Sequence, residues 1–341
     1  MRKVTYFPLC LGSVGMLVLI FDGQTAVSGV REGLQLCLNT LIPSLFPFFV
    51  LSSLITGSIM GVSTGPLRWI CRFCRMPTGS ESLLTVGILG GYPVGAGNIG
   101  TAYRNGAISL KDAQRLAIFC NNPGPSFLFG VLGPLFPHSG WVWLLWIIQV
   151  TATLLTGYLL PGGSSDPLDL PDNRPVSVPM ALNIGIKSIA LVCGWVILFR
   201  MILEFLNRWL FWLFPDPIRI FLTGMLELSN GCLALSETES ICLRFILAQL
   251  MLSLGGVCVW MQTCAVFPRL NLAGYLRGRA LHCLICFLLS APALSAIAGR
   301  KPLLTVLTCI LASISVYFLT SVLRKEKKAV AFYPSMVYNE N

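Results

Sequence analysis

Apolar residues run through this chain in long blocks, and the polar stretches that separate them are short. The blocks predict membrane-crossing helices at 5–21, 38–60, 116–136, 141–160, 187–206, 241–266, 280–298 and 302–322. Most of them reach or approach the ~20 residues that cross ~30 Å of hydrocarbon. Residues 22–37 are mildly amphipathic and hold Asp22, Arg31 and Glu32, the pattern of an interfacial helix. Arg68, Arg72 and Arg75 alternate with Trp69, Ile70 and Phe73 in a second interfacial stretch, and residues 209–219 read the same way. The segment 161–186, rich in Pro, Ser and Asp, is the composition shift that divides the chain into halves.

Three stretches fit neither a span nor a surface loop. The run from Gly87 to Gly100, inside a segment at 83–101, contains six glycines and Pro93 but no charge, with apolar sequence on both sides. Glycine and proline weaken helices, and broken backbone is tolerated at membrane depth only where it is buried in protein or lines a cavity. The second such stretch is Asn121-Asn122-Pro123-Gly124-Pro125, which splits the block at 116–136. The third is 220–235, short and apolar but interrupted around Glu227-Leu-Ser-Asn-Gly231.

Composition sharpens the class. Of the 341 residues 55% are hydrophobic and only 11% charged, against about 25% charged in soluble domains. The fold class is therefore an all-α polytopic membrane protein, with about eight transmembrane helices plus two re-entrant segments. The net charge of +10 is a topology signal rather than a nucleic-acid footprint, because the basic residues sit between apolar blocks. With both termini cytoplasmic and both broken segments returning to the side they entered, 17 of the 24 Lys and Arg fall inside. That set includes Arg68, Arg72, Arg75, Arg104, Lys111, Arg115, Arg269, Arg277, Arg279 and the tail at 324–328. Making either broken segment a full span reverses everything after it and spoils the bias.

The same assignment gives two halves of opposite orientation: 38–160 with its re-entrant segment at 83–101, and 187–298 with one at 220–235. An N-terminal span and interfacial helix (1–37) precede them, and a last span with a basic tail (299–341) follows. This is the inverted-repeat plan of secondary transporters, which bind solutes at the midplane between discontinuous helices. Sequence similarity between the halves is weak, resting on Gly90–Gly95 against Leu226–Gly231 and Asn121–Gly124 against Ser253–Gly256. The second half carries no clear second Pro/Gly break.

Candidate chemistry follows from the breaks. The literal G-x-G-x-x-G at Gly95–Gly100 lacks the preceding strand and the acidic residue about 20 positions on that a dinucleotide site requires. Read instead as a hairpin tip, Gly91, Tyr92, Pro93, Gly95 and Asn98 can face a solute. The amides of Asn121 and Asn122 can satisfy carbonyls freed by Pro123 and Pro125. Glu227, beside Ser229 and Asn230, is a lone carboxylate in apolar surroundings, so it is paired with Arg200 or Arg244, protonated, or a site for a coupling proton or cation. Arg200 and Glu204, at i,i+4, form a structural pair. Arg104 and Arg115 flank the first hairpin and can attract an anion. Of the thirteen cysteines, Cys71/Cys74 and Cys283/Cys286 have C-x-x-C spacing, and His282 adjoins the second pair. Packing in apolar segments accounts for them better than metal does. No metal, cofactor or enzymatic constellation is expected. Ser109 is the expected N-cap of the helix that leads to the second break.

Ile42-Pro-Ser-Leu-Phe-Pro-Phe-Phe49, Gly90-Gly-Tyr-Pro-Val-Gly-Ala96 and Ser109–Arg115 leading into Asn121–Gly130, with a looser match at Thr223–Glu227 and Gly231, resemble the YlbJ (SpoVV) sporulation integral membrane proteins. These belong with the nucleoside-recognition (gate) domain proteins. The resemblance implies transport of dipicolinic acid, a dianion, across the outer forespore membrane. It also implies a distant similarity to concentrative nucleoside transporters, which use two opposed re-entrant hairpins. A small anionic solute and the lipid bilayer are the expected partners, nucleic acid is not, and a homo-oligomer stays open. A nucleoside-type carrier and a non-transporting membrane scaffold are the alternatives.

Overall fold

A computed structural model describes residues 6–59, 65–162, 168 and 176–297, and all regular structure among them is helical. In chain order the helices begin with α1 (Tyr6–Phe21), α2 (Gly23–Leu36) and α3 (Ile42–Ile59), the last two joined by a π-helical turn at Cys37–Leu41. Then come α4 (Gly65–Phe73), α5 (Glu81–Leu89), α6 (Val94–Arg104), α7 (Leu110–Phe119) and α8 (Pro125–Phe127). From α8 the chain winds on through π and 3-10 turns to Leu135, and α9 (Ser139–Leu159) closes the first half. The second half comprises α10 (Val178–Trp209), α11 (Asp216–Leu226), α12 (Leu228–Ala234), α13 (Ile241–Leu254), α14 (Gly256–Val266) and α15 (Leu272–Ile297).

Among the described residues, five stretches are long and apolar enough to cross a membrane: Gly23–Ile55, Ser139–Leu159, Val178–Trp209, Ile241–Val266 and Leu272–Ser295. The apolar parts of α1 and of the piece from Pro125 to Leu135 are shorter. The last span and basic tail expected at 299–341 lie outside the described residues.

Residues 22–37, expected as an interfacial helix, do not end before the next span. They continue through the π turn into α3 as one rod laid along α10. Two glycines one turn apart explain the fit: a Cβ at Gly29 would stand 2.7 Å from Met201 Cα, and one at Gly33 2.9 Å from Ile197 Cα. Small residues at this spacing are what close apolar helix packing requires. Glu32 then reaches Arg200 of α10, which also holds Glu204 at 3.1 Å. Of the charges that suggested an interfacial position, Asp22 and Glu32 are matched across this helix pair, to Arg208 and Arg200.

The two halves repeat one order, a hairpin followed by a broken helix. Hairpin 1 is α5–α6, turning at Gly90–Pro93 with Gly91 at φ +74° and a cis Tyr92–Pro93 bond. Its broken partner is α7–α8, interrupted at 120–124, and Ser109 Oγ caps α7 by accepting from Asp112 N–H at 3.1 Å. Hairpin 2 is α11–α12, turning at the extended residue Glu227. Its broken partner is α13–α14. The span expected at 241–266 is therefore interrupted, because Gly255 and Gly256 adopt consecutive left-handed conformations (φ +83° and +73°) that side chains other than glycine resist. The second half thus has its own glycine break. The stretches at the two tips and the two breaks are those whose sequences match weakly between the halves.

Helix α9 serves as a ruler for direction. The base of hairpin 1 packs in an apolar cluster with Leu154 and Leu160 at the C-terminal end of α9. At the base of hairpin 2, Arg219 bridges Asp216 and Glu237. Next to it Arg244 donates to the carbonyls of Thr238 and of Leu135, just before α9 begins. The open ends of the hairpins therefore lie toward opposite ends of α9, and their tips meet between them. The main core surrounds that meeting point, with Leu41, Leu45 and Phe49 of the first rod packed among Leu128, Val142, Leu145, Phe245 and Met251.

Candidate functional site

A cavity of about 40 Å³ lies where the tips meet. Gly90, Gly91 and Tyr92 line it from hairpin 1, Glu227, Leu228 and Ser229 from hairpin 2, and Gly124, Ser126 and Phe127 from the first break. Val259 and Gln262 of α14, Leu45 and Phe49 of α3, and Val192 and Val196 of α10 complete the wall. Both tips and both broken helices contribute to it.

Glu227 is 2% exposed and pairs with neither arginine considered for it. Arg200 is taken by Glu32 and Glu204, and Arg244 donates to backbone carbonyls. Instead Glu227 caps its own helix. Oε1 accepts from Ser229 N–H at 3.0 Å, and Oε2 accepts from Asn230 N–H at 2.7 Å and Asn230 Nδ2 at 2.6 Å. A carboxylate fits there because helix-terminal N–H groups lack intrahelical partners. Gly224 and Gly231 let the arms of the hairpin cross, since a Cβ on Gly231 would stand 2.1 Å from Gly224 Cα.

The glycine run of hairpin 1 has two jobs. Gly87 and Gly95 straddle the first break, where a Cβ on either would stand 2.3 or 2.1 Å from the Cys120 carbonyl oxygen. Gly91, at the tip, presses against Gly124 N at 2.8 Å on the same measure and reaches the cavity. Gly95 is thus a packing residue away from the cavity. Pro93 sits at the start of α6, and Asn98 turns back to the Val94 carbonyl at 2.9 Å.

The two asparagines sit behind the cavity as connectors. Asn121 Oδ1 accepts from Ala96 N–H at 3.3 Å, and its Nδ2 donates to Thr263 Oγ1 at 3.0 Å and Tyr275 OH at 3.3 Å. Asn122 Nδ2 donates to the Phe119 carbonyl within the broken turn. Asn122 therefore satisfies a carbonyl of the break as expected, whereas Asn121 donates to no break carbonyl and instead ties hairpin 1, α14 and α15 together.

Arg104 and Arg115 lie away from the cavity. Arg104 is exposed and donates to Thr101 Oγ1 and the Val266 carbonyl. Arg115 is buried and donates to the carbonyls of Cys74, Arg75 and Gly157. Arg115 and Arg279, both expected among the cytoplasmic charges, are buried in the protein. Arg279 is fully buried, its guanidinium set between the two breaks. Nη1 donates to Asn122 Oδ1 at 2.9 Å and to the Asn121 carbonyl at 3.4 Å. Nη2 donates to Tyr92 OH at 2.9 Å and to the Leu252 and Ser253 carbonyls. Tyr92 OH in turn donates to the Leu252 carbonyl at 2.9 Å. Arg279 carried no sequence signal of this role, because its partners lie far away in the chain.

The cysteines of both C-x-x-C pairs are free thiols. Cys71 and Cys74 are free and buried, and burial pushes both thiols up to about 12, which leaves them unreactive near neutrality. His282 contacts Gln149 Oε1 at 3.0 Å and Cys286 Sγ at 3.5 Å. No group of three or more potential metal ligands occurs among the described residues.

No family model matches the chain, and no solved structure matches it at a significant level. A curated protein does: the sporulation integral membrane protein YlbJ of Bacillus subtilis (strain 168), 23% identical over 301 residues, covering 74% of this chain and 73% of that protein. The relative is an integral membrane protein, and the apolar helices described above agree with a membrane location for this chain.

Proposed function

Taking the chain as a member of the YlbJ family, which that similarity supports, we propose that it is a secondary transporter of a small carboxylate anion. Dipicolinate, carried across the outer forespore membrane during sporulation, is the substrate we assign. The observation that carries the proposal is the convergence of two oppositely directed hairpin tips and two helix breaks on one cavity holding a lone carboxylate. Transporters with repeated halves bind solutes at such discontinuities, and a buried acid there is a functional candidate by default. In this reading the hairpins are re-entrant segments that dip into the bilayer from opposite faces.

At about 40 Å³ the cavity has room for a few waters, so a dicarboxylate enters only when one hairpin moves. That is the alternating step. A second carboxylate beside ionised Glu227 is repelled, so uptake requires a proton or cation on Glu227. This makes Glu227 the coupling residue, with Gly91, Tyr92 and Ser229 facing the solute.

The test is uptake of labelled dipicolinate into proteoliposomes. Saturable uptake is expected, driven by an inward proton or cation gradient and lost in Glu227→Gln. Absence of uptake in the wild type rejects the assignment. Uptake of a nucleoside in its place moves the protein to the other carrier class, and transport of neither solute favours a scaffold.

A further inference from the structure

The cavity has to favour an anion although its own wall carries Glu227. Helix N-termini are the usual source of such preference, but those at the two hairpin tips are occupied. The start of α6 gives Ala96 N–H to Asn121, and the start of α12 gives Ser229 and Asn230 N–H to Glu227. Arg104 is at the surface and Arg115 is committed near the end of α9. Arg279 is left. Among the described residues its Nη atoms donate only to neutral oxygens, its buried Nε has no partner and no carboxylate pairs with it. A buried charge without a counter-charge is expensive to retain. This one is a single side chain from the cavity, with its guanidinium carbon 5.8 Å from the centre of the Tyr92 ring.

We propose that Arg279 is the specificity-determining charge of the central cavity, making it select a carboxylate anion over an uncharged solute of the same shape. The inference rests on the transport reading above. Arg279 acts by its charge from behind Tyr92, whose ring lines the cavity, rather than as a ligand contact. Its fork also ties the two breaks together, so the test has to separate charge from staple.

The experiment uses the purified full chain in detergent and compares the Kd of dipicolinate with that of its uncharged 2,6-dicarboxamide. The wild type is expected to prefer the dianion. Arg279→Gln lowers that preference by about tenfold, the order expected for losing one unit charge close by in a partly screened interior. Arg279→Lys retains most of the preference although the fork is lost. Asn122→Asp replaces an amide oxygen 2.9 Å from the guanidinium by a carboxylate, and so lowers the preference with Arg279 still in place. A pure staple gives the reverse pattern, with Lys failing as Gln does and Asn122→Asp leaving the preference unchanged; that result overturns the proposal. If Arg279→Gln does not fold, the other two variants decide. A wild type that binds the diamide as tightly as the dianion removes this proposal and leaves carriage of an uncharged solute standing. A wild type that binds neither removes the transport reading for this ligand, and the proposal with it.

Discussion

Hairpin 1 reaches the cavity with an uncharged tip, and that tip is held from outside. Tyr92 is bonded to Leu252 and Arg279, Ala96 to Asn121, and Gly91 and Gly95 are pressed against the backbone of the first break. Hairpin 2 reaches it with a carboxylate whose hydrogen bonds all stay within its own helix. Its base is closed by an ion-pair group that is partly exposed. Two elements of the same plan therefore differ in what fixes them. One is hydrogen-bonded at its tip to other elements, whereas the other keeps its tip hydrogen bonds to itself, packs its backbone against the second break and is latched at its base. A tip held by its own hydrogen bonds can shift without breaking bonds to others, so hairpin 2 is expected to be the more mobile of the pair.

The strongest way to break this comparison is to force the glycine contacts. Gly95→Leu and Gly231→Leu each drive side-chain atoms into backbone, and each is expected to lower stability by about 3 kcal/mol or more, at or beyond the upper end of ordinary overpacking. Thermal unfolding in detergent measures it. Asn121→Ala comes next, at about 2 kcal/mol, because it strands the Ala96 N–H and removes the partner of Thr263 and Tyr275. The corresponding change in hairpin 2, Glu227→Gln, loses part of one cap and is expected to cost about 1 kcal/mol, while abolishing gradient-driven uptake. If Glu227→Gln unfolds the protein more readily than Asn121→Ala, the assignment of anchored and mobile tips is inverted. The smallest effect is expected for Arg219→Gln, whose partly exposed pairs contribute at most about 1 kcal/mol. Its signature is faster amide exchange along α12 with little change in unfolding temperature.

Legibility in the sequence followed how local each cause was. The first hairpin and first break were readable because glycine and proline punctuate an uncharged run. Hairpin 2 was readable from the isolated Glu227, and the structure extends it to Asp216 and Glu237 at its base. The break at Gly255–Gly256 was hidden, since two glycines inside an apolar run also suit a spanning helix. There the fold leaves no room for a side chain, since a Cβ on Gly256 would stand 2.7 Å from the Gly224 carbonyl oxygen. Gly29 and Gly33 were masked by Arg31 and Glu32, whose partner Arg200 lies 168 residues from Glu32. Arg279 was read as a flanking charge, because only the folded chain brings residues 118–122 and 252–253 to it.

Amide hydrogen exchange at the two tips, with and without dipicolinate, tests the central claim most directly. Exchange reports local opening, and a ligand slows it where it holds a mobile element closed. The account predicts that saturating dipicolinate slows the amides of Leu228–Gly231 by about fivefold or more, while those of Val94–Ala96, already pinned, change little. Equal slowing at both tips, or slowing confined to hairpin 1, would contradict it.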